Sequence, residues 1–277
     1  MMDAGKKVVK EGGEYKMEIS VLEKDKEKGK LSFLVKGINI VLANTLRRMV
    51  VEEVPTMAIE EVEFRENSSA LYDEIIAHRL GLIPLSTDLK SYTLPEECKC
   101  KGKGCARCQL KMTLSVGKQG IVYAGDIKSK DPKVKPVYPK MPIVKLLKGQ
   151  KLEFEATAAL GKGKDHAKWT PGLVYYKACP IIEISSKAVN CEKAAKVCPV
   201  NVFDFKDNKL KINGKNLLKC HLCQACSDIC EGIKVAGSKT DFIVNIESWG
   251  QLDPKEMIKE AVDRFTQKCK DFTKELK

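Results

Sequence analysis

Hydrophobic and polar positions change period several times along the chain, and each change marks an element. Between residues 15 and 23, Tyr15, Met17, Ile19 and Val21 alternate with polar neighbours. The polar stretch "EKDKEKGK" follows, and Leu31, Phe33 and Val35 alternate again. A period of two on either side of a charged connector predicts two strands and a turn. From Asn39 to Val51 the chain is apolar almost all round, through Ile40, Val41, Leu42, Leu46, Met49 and Val50. Gly37 precedes this run and Pro55 follows it. It predicts a helix buried on more than one face, with Arg47 and Arg48 as the exceptions.

Met57, Ile59, Val62 and Phe64 then predict extended structure. A short helix over about residues 70 to 80 should end at Gly81, a residue suited to a left-handed cap. Residues 92 to 108 form a loop rich in Pro, Gly, Lys and Cys. "MTLSV" and "KLEFEAT" read as strands on either side of "DPKVKPVYPKMP", whose prolines forbid a continuous helix. Residues 179 to 238 concentrate cysteines and read as a separate insert. In "TDFIVNIESWG", Phe242, Val244 and Ile246 alternate as in a strand. Asp253 then reads as an N-cap, with Pro254 at the first helical position and Glu256 completing a capping box. Ile258, Ala261, Phe265, Cys269, Phe272 and Leu276 step by three or four. They predict a closing amphipathic helix of about 23 residues, roughly 34 Å long. Such a helix covers its own sheet or packs on a partner.

Length and charge narrow the class. A chain of 277 residues holds one large domain or two to three small ones. No apolar run reaches membrane-span length, since "GINIVLANTL" is interrupted by Asn39 and Asn44. The first residues lack the apolar core of a signal peptide. The expectation is a soluble cytoplasmic protein with no membrane contact. The formal charge of +12 invites a nucleic-acid or acidic-protein reading. Yet only six of the 49 basic residues are arginines, and the aromatics, at 6%, do not interleave with them. Base recognition uses Arg forks and stacking rings, so the charge reads mostly as a solvated surface.

The cysteines change the picture most. In an intracellular protein, 12 cysteines suggest metal before disulfides. "CHLCQACSDIC" spaces Cys220, Cys223, Cys226 and Cys230 as a bacterial-type ferredoxin does. In a two-cluster ferredoxin, each cluster takes three ligands from one half-motif and its fourth from the other. Aligned backwards from Cys198-Pro199, the first half-motif has positions Ala188, Cys191, Ala194 and Cys198. One set is therefore complete: Cys198, Cys220, Cys223 and Cys226. The other retains only Cys191 and Cys230. The expectation is one [4Fe–4S] cluster, or a [3Fe–4S] cluster if one ligand goes unused, beside a vacated site. A zinc site or plain buried thiols are the competing assignments. His221 reads as exposed or adjacent to the cluster rather than as a ligand. Separately, "CKCKGKGCARC" brings Cys98, Cys100, Cys105 and Cys108 onto one glycine-softened loop. Four thiolates with no open position suit structural zinc; free reduced thiols are the alternative. Cys179 and Cys269 read as ordinary buried cysteines. No catalytic constellation appears: His78, His166 and His221 fit no nucleophile–base pattern, and "GKGKDHAKW" lacks phosphate-loop spacing.

"NTLRRMVVEEVPTMAIEEVEF" and "HRLGLIPL", with "HAKWTP" and "VNIESWG", resemble the alpha-like assembly subunit of multisubunit RNA polymerases, over nearly the whole chain. The cysteine loop after residue 90 is similar to that of the eukaryotic counterpart, with a longer middle gap. The ferredoxin-like insert points to the archaeal, D-type form of this subunit. The resemblance implies an α+β fold with three parts. Residues 1–54 and 240–277 would form a split dimerisation domain, 55–176 an inserted mainly-β second domain, and 177–239 a ferredoxin-like iron–sulfur domain. The chain stops at its helix, so no bacterial-type DNA-binding domain is expected after it. The resemblance implies a non-catalytic scaffold that heterodimerises with the smaller alpha-like L subunit. The small N and P subunits and the large B-type subunit would follow, and DNA would be met only through the assembled polymerase. Leu46, Arg47, Met49, Val50, Ile258, Ala261, Phe265 and Phe272 would form the partner face. The cluster would be a structural or redox-responsive staple. The competing reading is a ferredoxin-like electron-transfer protein, which would need a second redox centre or a docking surface.

Overall fold

The computed structural model describes residues 17–185, 188, 191–206 and 208–276; the expectation for Tyr15 lies outside them. Seventeen helices and strands are labelled in chain order. They are β1 (Glu18–Asp25), β2 (Lys30–Lys36), α1 (Ile40–Arg48), β3 (Pro55–Asn67), α2 (Asp73–Gly81), β4 (Gln109–Val116), β5 (Gly120–Tyr123), β6 (Lys128–Ser129), β7 (Pro142–Leu146), β8 (Leu152–Lys162), β9 (Gly172–Ile184), α3 (Glu192–Val197), β10 (Phe203–Lys206), β11 (Lys209–Ile212), α4 (Ala225–Ile229), β12 (Ile233–Ser248) and α5 (Pro254–Glu275). The fold is mixed α+β. The chain divides into two compact units.

One unit takes residues up to 23, 32–44 and 175–245. Its main sheet has the strand order β1-β2-β12-β9. Phe33 and Val35 are buried as their alternation predicts, and Leu34 on the opposite face is buried too. β12 is likewise buried on both faces at Phe242, Ile243 and Val244. β1 differs. It pairs only with β2, and Met17, Ile19 and Val21 remain exposed. The hairpin β10–β11 and the helices α3 and α4 surround a small second core of Ala194, Val202, Phe203, Leu210 and Ile233.

The other unit takes residues 24–31, 45–174 and 246–277. Its sheet has the order β3-β8-β4-β6, beside the β5–β7 pair. β3 runs antiparallel to β8, with irregularities between Ile59 and Glu61 and between Phe64 and Glu66. The first one explains a change of phase along β3. An extra residue turns the pleat over, so Met57 and Ile59 face the core from odd positions, and Val62 and Phe64 from even ones. Phe64 meets Phe154 of β8 edge-to-face at 6.0 Å. α2 packs on β3 through Ile76 and Leu80, both fully buried.

Two expectations for α2 are corrected. It starts at Asp73, and Gly81 is its last helical residue rather than a left-handed cap. The following Leu82 keeps right-handed geometry and donates its N–H to the Arg79 carbonyl, and Ile83 N–H donates to the Leu80 carbonyl. The helix that starts near Asn39 also changes form. α1 ends at Arg48, and Met49–Glu53 continue as a π-turn before Pro55 enters β3. Arg48 donates to both carboxylate oxygens of Glu52 across that join, at 2.9 and 3.0 Å. α5 packs on the same π-turn. Asp253 caps α5 as expected, but its carboxylate accepts the Lys255 N–H. The cap is thus made by Asp253 alone rather than by a box with Glu256.

"GKGKDHAKWTP" is a docking loop. The Trp169 ring occupies the space where a Cβ on Gly161 would sit, so only glycine admits it. Its indole N–H donates to the Ala159 carbonyl at 3.2 Å. Thr56 Oγ1 donates to the Trp169 carbonyl at 2.7 Å. A Cβ on Gly163 would strike the Val51 carbonyl, and Lys164 N–H donates to the Glu52 carbonyl. The loop thereby supports the π-turn from below.

Candidate metal centres and partner surface

A single turn at Pro95–Glu97 leads into the first cysteine group. Lys101, Gly102 and Gly104 take positive φ, which folds the eleven-residue loop back on itself. The Cys98, Cys100, Cys105 and Cys108 sulfurs all lie within 4.8 Å of one another. Cys98 to Cys105, Cys98 to Cys100 and Cys100 to Cys108 are each 3.5 Å, and Cys105 to Cys108 is 3.8 Å. A tetrahedron with metal–sulfur bonds of about 2.3 Å has edges of about 3.8 Å. The donor set and its spacing therefore fit one zinc-sized ion. Cys98 and Cys108 are buried, while Cys100 and Cys105 are half-buried. The Cys100 backbone N–H holds the Cys98 thiol low. Burial pushes the Cys108 thiol up.

In the other unit, Cys198, Cys220, Cys223 and Cys226 line one cavity, together with Phe203 and His221. Three sit at element ends: Cys198 follows α3, Cys220 follows the turn Leu217–Lys219, and Cys226 is the second residue of α4. Exposed Cys223 lies between Leu222 and Gln224, both at positive φ. Neither residue adopts that conformation freely, and such geometry gathers at ligand clamps. Val202 N–H donates to Cys198 Sγ at 3.4 Å.

The remaining positions of the ferredoxin pattern are filled. Ala194 is fully buried, and Ala188 packs against Gly232. Cys191 and Cys230 form a disulfide between Cα atoms 5.8 Å apart. A cysteine count in an intracellular chain argues against disulfides, but the fold brings these two thiols together. Lys177 on β9 stands behind Cys220 and donates to the Leu218 and Cys220 carbonyls. Burial lowers its ammonium pKa. Cys179 is half-buried, with burial raising its thiol pKa, whereas Cys269 is exposed rather than buried.

The expected partner face divides. Met49, Val50 and Ala261 are buried within this chain, because the π-turn and α5 pack on one another. They are not available to a partner, which corrects that part of the expectation. Leu46, Arg47 and Ile258 are half-buried. Phe265 and Phe272 are exposed, at 38% and 66%. The exposed set also includes residues outside that group: Ile40, Val41 and Leu42 on α1, and Val262 on α5. The apolar run at 40–42 was visible in the sequence, but its outward side was not. Among the described residues, no helix is long and apolar enough to cross a membrane.

The β3–β8-centred domain with its cysteine loop has a known class. A family model for the RNA polymerase Rpb3/RpoA insert domain matches residues 57–172. Whole-chain relatives narrow it further. The chain is 40% identical to the DNA-directed RNA polymerase subunit Rpo3 of Methanosphaera stadtmanae, across 91% of this chain and 96% of the relative. It is 38% identical to Rpo3 of Methanosarcina acetivorans, across 92% and 97%. It is 39% identical to Rpo3 of Pyrococcus horikoshii, across 94% and 98%. The chain belongs to this family of archaeal DNA-directed RNA polymerase subunits. The D-type designation expected from the motifs is corrected: the relatives carry the name Rpo3. The chain is a subunit of the polymerase complex.

Proposed function

We propose that this chain is a non-catalytic assembly scaffold of the archaeal polymerase, working in the cytoplasm, and that it heterodimerises with the small alpha-like L subunit. The N and P subunits and the large B-type subunit then join that platform. One observation carries the reading: α5 is buried at Met257 and Ala261 in its first half, whereas Phe265 and Phe272, further along the same stripe, and Val262 beside it are exposed to solvent. An exposed stripe on an otherwise docked helix costs stability unless a partner covers it. Exposed Ile40, Val41 and Leu42 on α1 support the same conclusion. The dimerisation part comprises residues 1–54 and 240–277, the second domain 55–176, and a ferredoxin-like domain 177–239.

The two cysteine groups are structural metal centres in this reading. Cys98, Cys100, Cys105 and Cys108 hold zinc. Cys198, Cys220, Cys223 and Cys226 hold one [4Fe–4S] cluster, which brings one-electron chemistry when bound. The chain's own part is to fix four thiols on a rigid cavity wall and to exclude a second cluster with Ala188 and Ala194. That exclusion weighs against electron transfer as the main task, because a relay needs a second centre.

Co-expression with the L subunit should yield a stable 1:1 heterodimer by size-exclusion chromatography with light scattering. Phe265→Asp should weaken that dimer at least tenfold, and Cys220→Ser should leave it nearly unchanged. A monodisperse monomer that ignores the L subunit would refute the assignment.

A further inference from the structure

Lys177 carries a charge that its surroundings do not balance. Its Nζ donates to the Leu218 carbonyl at 2.7 Å and to the Cys220 carbonyl at 3.0 Å. The side chain is half-buried, and among the described residues no carboxylate lies within ion-pair distance of it. The ionisable groups that act on it are thiols, those of Cys220 and Cys179. A half-buried ammonium held only by carbonyl oxygens is costly unless an anion stands near it. The carbonyl it grips belongs to Cys220, whose sulfur lines the cavity shared with Cys198, Cys223 and Cys226.

We propose that Lys177 is a positioning residue for the iron–sulfur centre: it clamps the Cys220 backbone to β9 and supplies the positive charge that balances the four thiolates. The inference rests on the iron–sulfur reading of this cavity. Two separable effects follow. As a clamp, Lys177 slows opening of the loop and hence loss of iron. As a cation, it favours the reduced cluster, which carries one more negative charge after accepting one electron, and so raises the reduction potential.

The test uses the full chain, purified without oxygen, in wild-type form and as Lys177→Arg, Lys177→Gln and Lys177→Met. Iron per chain, the rate of iron loss to a chelator, and the midpoint potential under dithionite titration are measured. Thermal melting followed by circular dichroism serves as the folding control. Lys177→Gln should keep its iron and shift the potential to more negative values. Lys177→Met should shift it similarly and lose iron several-fold faster. Lys177→Arg should restore a potential close to wild type. Wild-type potential and iron retention in both Lys177→Gln and Lys177→Met would overturn the proposal while leaving the cluster assignment intact. Folded wild-type protein that holds no iron would overturn both.

Discussion

At Tyr92 two effects act in one direction. Burial and donation of its hydroxyl to Asp131 at 2.8 Å both favour the protonated phenol and push its pKa up to about 12. The unfolded value is about 10. A raised folded pKa contributes stability that is fully present below about pH 10 and lost as pH rises through about 12. Absorbance titration of tyrosinate should therefore show one late component, and Tyr92→Phe should remove it. The disulfide makes a second residue-scale case. Cys191 and Cys230 are 39 positions apart, and all four proposed cluster ligands lie between them. Cross-linking a loop of that length contributes roughly 4 kcal/mol through chain entropy. Cys191→Ser should destabilise this unit by up to about that amount in thermal melts. Its iron content should stay at wild-type level, because Cys191 belongs to the vacated half-site. The disulfide itself was not legible in the sequence. Spacing sets these two cysteines apart from the four that line the cavity, and only folding shows that they meet.

Elements show where periodicity succeeds and where it fails. The β3 phase change was present in the sequence as Met57, Ile59, Val62 and Phe64, yet the bulge that reconciles those positions is a product of pairing with β8. α5 was legible from its step of three and four and from Asp253 and Pro254. The extent of its burial was not, because an amphipathic stripe does not say whether its cover comes from the same chain. Here the stripe is covered from within at Met257 and Ala261, and is exposed further along at Phe265 and Phe272. Met257 is fully buried, so Met257→Ala should cost about 2–5 kcal/mol in denaturant unfolding of the free chain. Phe272→Ser, in the exposed second half, should change free-chain stability by less than about 0.5 kcal/mol. Equal effects would show that the two halves of α5 are not distinct. Ion pairs hold the helix in place. Glu53 is buried on the π-turn and accepts from Lys268 at 2.5 Å. Arg264 reaches Glu97 beside the cysteine loop at 2.7 Å.

At the scale of the whole molecule, the two cysteine groups lie in different compact units with separate cores. Separate cores predict separate responses to mutation. Cys223→Ser should lose iron and keep zinc. Paired Cys105→Ser and Cys108→Ser should lose zinc and keep iron. Metal analysis of both variants checks the claim, and loss of both metals in either would show that the units fold as one.

The sequence by itself showed where the thiols are grouped, since thiol number and spacing are local properties of "CKCKGKGCARC" and "CHLCQACSDIC". It also determined most strands and the cap of α5, because period and capping are set by neighbours a few residues apart. Tertiary structure alone decided which apolar residues stay exposed. Ile40 and Val50 look alike in a pattern, but one is 58% exposed and the other fully buried. It also decided that Gly161 and Gly163 serve close approach of Trp169 and Val51, and that Lys177 stands behind Cys220. Each of these pairs residues far apart along the chain. Their meeting depends on how strands and loops pack, which no local pattern encodes.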